Sequence, residues 1–182
     1  MNVSFTVLIS LGCFFCEEPK VNVPVIERSV QVVQVVDEKE LHCLAMNIYH
    51  EARGETLAGQ VAVTDVVLNR VEDRRYPNTI CSVVHQAKFS KWWMKNKGKE
   101  VPLKNKCQFS WYCDGKDDTP TEDRAWSNAQ TVARNMLTRG DHRGITKGST
   151  HYHASRVDPY WARSKGMRLV SQIGEHIFYK WK

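Results

Sequence analysis

The chain lacks a run apolar enough to cross a bilayer comfortably. Val3 to Cys16 carries no charge, but it is shorter than the roughly 20 residues a spanning helix needs, and Glu17-Glu18-Pro19-Lys20 closes it. No Lys or Arg precedes it, as an export signal normally requires. Residues 1–18 therefore fit a cleaved signal peptide or a signal-anchor, with a short buried helix or strand as the third reading. No internal repeat or low-complexity tract occurs, which excludes a repeat architecture. Among Cys43, Cys81, Cys107 and Cys113 there is no CxxC pair, which argues against a zinc site; Cys13-x-x-Cys16 has the spacing but no second pair. An even set of four in an exported chain points to two disulfides, with Cys107 and Cys113 placed to close the loop Gln108 to Tyr112. In a reducing compartment the same four would stay thiols. No nucleic-acid-binding module is recognisable, so nucleic acid is not an expected partner.

What is present suits one globular domain. At 182 residues with 42% hydrophobic content the chain can build a core. Residues 19–37, rich in Val and Gln, read as a linker or an edge strand, and 38–182 as the domain. The formal charge of +6 calls for an anionic surface as partner. Seven lysines between Lys88 and Lys106 are interleaved with Phe89, Trp92 and Trp93 and opposed only by Glu100. Gly98 and Pro102 interrupt them, which predicts an exposed loop or short helix. That stretch suits an anionic wall polymer or a membrane surface, and a merely solvated face explains the charge equally well.

Asp37 caps a helix with Glu40 at its third position, and Gly54 is the expected stop. Leu41, Leu44, Ala45, Ile48 and Ala52 form its buried stripe. Glu51 falls at the edge of that stripe in the last turn, where burial and the negative end of the helix both favour the protonated acid. A carboxylic acid that stays protonated can donate to a leaving oxygen. The structural alternative is an ion pair with Arg53 or Arg70. Thr56 caps a second helix whose apolar residues cover more than one face, so it is the expected central helix, and Arg70 on it can hold Glu51 or Glu55. Thr79 caps a short helix through Val84. Another helix runs from Thr121 through Leu137 to Gly140. Thr150-His151-Tyr152-His153 alternates as a strand, with His151 and His153 on one face, a spacing that invites a zinc reading with Glu51 or a further carboxylate as partner. Ile173-Gly174-Glu175-His176 reads as a closing hairpin.

The runs Ile48-Tyr49-His50-Glu51-Ala52-Arg53-Gly54-Glu55, Gly59-Gln60-Val61-Ala62-Val63 and Val67-Leu68-Asn69-Arg70-Val71 resemble the SleB-type cell wall hydrolases, the spore-cortex-lytic family. Tyr76-Pro77-Asn78-Thr79-Ile80, Gln108-Phe109-Ser110-Trp111, Thr150 to His153 and Gly174 to Phe178 extend the resemblance over about residues 40 to 180. It implies an α+β, lysozyme-like fold with a mostly helical lobe and a small β region. It implies cleavage of the peptidoglycan glycan strand between N-acetylmuramic acid and N-acetylglucosamine by a lytic transglycosylase-like route, without metal or cofactor. Carried over by motif, Glu51 is the single catalytic residue. Gln108, Ser110, Trp111, His151, Tyr152 and His153 are expected around the substrate, the first two for hydrogen bonds and Trp111 as a stacking wall. Glu55 or Asp65 would serve as a second carboxylate in a hydrolytic variant. A zinc-dependent amidase using His151 and His153, and a non-catalytic wall-binding protein, are the two alternatives. A phage endolysin, a wall-remodelling enzyme and a spore enzyme would share this domain, each exported.

Overall fold

In a computed structural model the described residues are 36–182. The expected export segment 1–18, most of the expected linker, Cys13 and Cys16 lie outside the described residues.

Asp37 opens the fold as expected: its carboxylate accepts from Lys39 N at 2.8 Å and Glu40 N at 3.4 Å, at the start of α1, Glu38–Ala52. Glu40 does not turn back to its own cap. It accepts from Ile80 N at 2.5 Å and Cys81 N at 3.4 Å, capping α3, Ile80–Val84, from across the core. The Cys43–Cys81 disulfide fastens the same two helices. Leu44, Ala45 and Ile48 on α1 are fully buried, and each large aliphatic side chain contributes about 2 kcal/mol of burial. The expected glycine stop is a correction: the left-handed glycines do not include Gly54, and Arg53 ends α1 in the right-handed region at φ −59°. The chain turns through Glu55 N to Ala52 O at 2.9 Å, and Thr56 at once caps α2, Leu57–Glu72.

Helix α2 is the central helix. Val61 and Val67 join the helical core, while Ala62 and Val66 pack on Phe178 of the sheet. An apolar surface on two sides is what lets one helix be covered by two layers. Asp65 on α2 is fully buried and accepts from Gly144 N at 3.0 Å, Thr146 N at 3.1 Å and Thr146 Oγ1 at 2.5 Å, besides pairing with Arg143. It holds the 140–149 segment in place. After the Lys-rich segment, α5, Asp123–Arg139, lays Ala129, Val132, Ala133 and Met136 into the helical core and ends at Gly140, whose φ of +67° only glycine adopts freely.

Residues Lys88 to Lys106 contain more structure than expected. β1, Ala87–Phe89, pairs antiparallel with β2, Pro102–Cys107, and α4, Lys91–Lys97, rides in the connection. β2 shows no apolar alternation, because its middle four residues are all exposed, so periodicity could not reveal the pairing. The Cys107–Cys113 disulfide closes the loop that follows, including a 3-10 turn at Ser110–Cys113.

Three antiparallel strands complete the domain in the order β3-β5-β4: β3, His151–Ala154, β4, Met167–Ile173, and β5, His176–Trp181. Tyr152 pairs with Phe178 and His151 with Tyr179. The expected closing hairpin is β4–β5, turning at Gly174. Helices and a small sheet packed this way make the α+β architecture expected. No helix among the described residues is long and apolar enough to cross a membrane.

Candidate active site

Glu51 occupies the last turn of α1, half-buried beside β3. Tyr152 OH donates to Glu51 Oε2 at 3.1 Å. Burial pushes the Glu51 carboxyl up, and the Tyr152 hydrogen bond and the Arg70 charge draw it part of the way back. Burial, with the Glu51 charge second, raises Tyr152 well above the usual phenol range, so it stays the donor. Arg70 is buried on α2. Its Nε donates to Thr150 O at 2.8 Å, and its guanidinium lies 5.5 Å from the Tyr76 ring and 5.2 Å from the Phe109 ring. Neither expected ion pair forms: Arg53 pairs with Glu122 at 3.0 Å, and Arg70 holds neither Glu51 nor Glu55.

Two cavities meet at Glu51. One, about 570 Å³, is lined by Glu55, Tyr152, Arg156 and His176. The other, about 380 Å³, is lined by Arg53, Trp111, Asp114, Asp117 and Asp118. His50, Glu51 and Ser110 line both, so the carboxyl stands at the waist of a groove that continues on either side of it. A polymer laid along such a groove would pass the acid mid-chain, which a closed pocket would not allow.

The residues expected around the substrate divide. Ser110 is exposed at the waist. Trp111 lies in the smaller arm but is buried: His50 stacks on it at 4.6 Å, and Asn47 Oδ1 accepts from its Nε1 at 3.2 Å, so one face is already taken. His50 is fixed in turn, its Nε2 3.0 Å from Asp118 O. Gln108 is exposed, lines neither arm, and donates its backbone N–H to Gln86 O at 2.7 Å. Tyr152 turns toward Glu51, while His151 and His153 point to the other face of β3, each against Trp161. His153 reaches the rim of the larger arm, its Nε2 3.1 Å from Tyr179 OH. His151 lies outside both arms, and burial together with the Arg70 and Arg75 charges brings its pKa down to about 4. Among the described residues no three His, Cys, Asp or Glu side chains converge as a metal site would need.

The two carboxylates considered as partners of Glu51 are both hydrogen-bonded, Glu55 while lining the larger arm with Glu51. Asp65 pins the 140–149 segment. Glu55 is braced under the β4–β5 turn: its oxygens accept from Glu175 N at 3.3 and 3.2 Å, and His176 Nδ1 stands 3.3 Å from Oε1. Gly59 and Gly174 make the room, since a side chain at either would run into the Glu55 side chain. Sequence reasoning missed this brace; it put Arg70 near Glu51 as an ion-pair partner, whereas the guanidinium bonds Thr150 O and faces the carboxyl only through its charge.

The fold is α+β, and Glu51 stands at the waist of an open cleft. A family model described as Cell Wall Hydrolase matches residues 54–179, and the chain belongs to that family of enzymes. Glu51 lies just ahead of the matched range. The spore cortex-lytic enzyme of Halalkalibacterium halodurans is 34% identical over 155 residues, 84% of this chain and 38% of that protein. The spore cortex-lytic enzyme of Oceanobacillus iheyensis is 40% identical over 58 residues, 32% of this chain and 21% of that protein. The chain thus spans well under half the length of these curated relatives. Among solved structures, the catalytic domain of the germination-specific lytic transglycosylase SleB from Bacillus anthracis is similar at a TM-score of 0.54 and 24% identity, covering 81% of this chain and 98% of that one. That likeness is one of fold.

Proposed function

We propose that residues 38–182 form a catalytic domain that cleaves the glycan strand of peptidoglycan between N-acetylmuramic acid and N-acetylglucosamine, with Glu51 as the single acid and base. The observation that carries the reading is the placement of a burial-raised carboxyl at the waist of a two-armed groove. Protonated Glu51 gives its proton to the glycosidic oxygen as the bond to the muramic anomeric carbon breaks. The muramic 6-hydroxyl then attacks that carbon and surrenders its proton to the Glu51 carboxylate. A 1,6-anhydro sugar forms and the acid is restored, with no water consumed. Between the two transfers the carboxylate is held by the Tyr152 hydroxyl and faced by the Arg70 charge. Ser110, exposed at the waist, offers a hydrogen bond to a sugar hydroxyl or acetamido group.

The names of the relatives favour a wall substrate, and the two disulfides favour an oxidising compartment outside the cytosol. In this reading residues 1–18 export the domain or tether it. The Lys88 to Lys106 hairpin lines neither arm of the groove and takes no part in cleavage.

The test is mass spectrometry of soluble fragments released from purified peptidoglycan by the wild type, Glu51→Gln and Glu55→Gln, with and without chelator. Anhydro-muropeptides from the wild type and Glu55→Gln, and none from Glu51→Gln, are expected with or without chelator. Native-rate release by Glu51→Gln would refute the assignment. Reducing-end muramic acid lost in Glu55→Gln would replace the route with hydrolysis, and chelator-sensitive release of stem peptides would replace it with amidase chemistry.

A further inference from the structure

We propose that the β1–α4–β2 hairpin is a membrane-surface dock that binds the anionic phosphate headgroups of a lipid bilayer. Three observations converge on it. The first is charge: from Lys88 to Lys106, seven lysines less Glu100 leave +6, the whole of the chain's formal net charge, so the rest of the molecule is neutral on balance. Charge gathered on one projecting element attracts an extended anionic surface, and each lysine near such a surface strengthens binding by about fivefold.

The second is apolar exposure in the midst of that charge. Trp92 is 57% exposed, Trp93 38%, Met94 47% and Leu103 43%, and α4 buries no residue at all. The two indoles pack edge to face on each other, ring centroids 5.1 Å apart. Lysines alone are enough to attract a soluble polyanion such as poly(glycerol phosphate), which has no ring for an indole to stack on. Indoles left in water beside lysines match the interfacial zone of a bilayer, where the ring meets the acyl boundary and the ammonium groups meet phosphate.

The third is how the hairpin is built in. Ser90 N donates to Val101 O at 2.9 Å at the neck below α4, and β2 runs straight into the Cys107–Cys113 loop. Ser110 at the waist of the groove belongs to that loop. A hairpin docked on a membrane would hold the groove beside the glycan nearest that membrane. This consequence rests on the proposed cleavage; the docking does not.

The experiment uses the full chain with vesicles of phosphatidylglycerol and phosphatidylcholine in equal amounts, against vesicles of phosphatidylcholine alone and soluble poly(glycerol phosphate). Co-sedimentation and tryptophan emission are read for wild type, W92S/W93S and K95Q/K97Q, all of whose changes fall on a helix with no buried residue. Fragment release from purified peptidoglycan is measured in parallel. Expected is sedimentation with the anionic vesicles only, with blue-shifted emission. K95Q/K97Q should weaken partition on the order of twentyfold, and W92S/W93S should abolish the emission shift. Both should leave fragment release unchanged, and Glu51→Gln should still bind vesicles. No sedimentation with anionic vesicles would overturn the proposal. So would equal binding to phosphatidylcholine, binding to poly(glycerol phosphate) alone, or a parallel fall in fragment release.

Discussion

Alanine in place of Gly174 tests whether Glu55 is a brace or a free carboxylate. Gly174 sits at φ +57°, where an L side chain costs about 1 kcal/mol. Its new methyl carbon would lie 3.2 Å from Glu55 Cδ and overlap Oε2, so the carboxylate must swing off Glu175 N. A hydrogen bond to a charged group contributes about 1.5–3 kcal/mol, but Glu175 is exposed and its N–H can turn to water, so about 1 kcal/mol is lost there. Gly174→Ala should therefore destabilise by about 2 kcal/mol. With Glu55→Ala in the background the overlap is gone and only the backbone cost remains. The double variant should be less destabilised than the sum of the singles, with a coupling of about 1 kcal/mol. Urea unfolding with the disulfides kept oxidised, followed by circular dichroism and fluorescence together, measures all four corners of the cycle. Additivity within about 0.3 kcal/mol would refute the brace and return Glu55 to the pool of free carboxylates.

Two further predictions concern Glu51 itself. Tyr152→Phe removes a hydrogen bond that holds the Glu51 carboxyl down, so the alkaline limb of the pH–rate profile on purified peptidoglycan should move upward; an unmoved or lowered limb would sink the proposed acid. Glu51→Gln should raise the melting temperature at neutral pH. Burial raises the folded-state pKa above the unfolded one, so the stability linked to this proton is whole below the unfolded pKa and is lost as pH rises through the folded one. The gain of the Gln variant should therefore shrink toward zero in acid, and a gain independent of pH would contradict the burial of the carboxyl.

The helices were legible because their signals are local. Asp37, Thr56, Thr79 and Gly140 announce boundaries, and the stripe from Leu41 to Ala52 repeats at the helical period. The strand at His151 to Ala154 was legible from alternation, which also put Tyr152 opposite the two histidines. The Lys-rich hairpin was hidden because β2 has no apolar alternation and β1 is only three residues long. The surroundings of Asp65, Glu55 and Arg70 were hidden for a common reason: each hydrogen-bonds backbone 80 to 120 positions away along the chain, Asp65 at Thr146, Arg70 at Thr150 and Glu55 at Glu175. A charged residue in sequence shows its charge and not its acceptor. Trp111 illustrates the same limit, since an aromatic beside a cleft and an aromatic under a histidine read alike until His50 is placed on it.

One residue can act as acid and then as base only if neither protonation state is too stable. Burial alone would favour the neutral acid and make Glu51 a reluctant proton donor in the first transfer. Tyr152 and Arg70 oppose it, the phenol through a direct hydrogen bond and the guanidinium through its charge. Both opposing groups are held by features remote from the substrate. Tyr152 is fixed by β3 and by its packing on Phe178, and Arg70 by Thr150 O and the Tyr76 and Phe109 rings. The balance proposed for Glu51 is thus set where the central helix meets the sheet, which is why the same α2 that carries Val66 against Phe178 also carries Arg70. A second carboxylate placed within reach would push the Glu51 carboxyl up again and work against the first, donating step. Glu55 is hydrogen-bonded under the β4–β5 turn and Asp65 against Thr146, and neither carboxylate figures among the charges that shift Glu51.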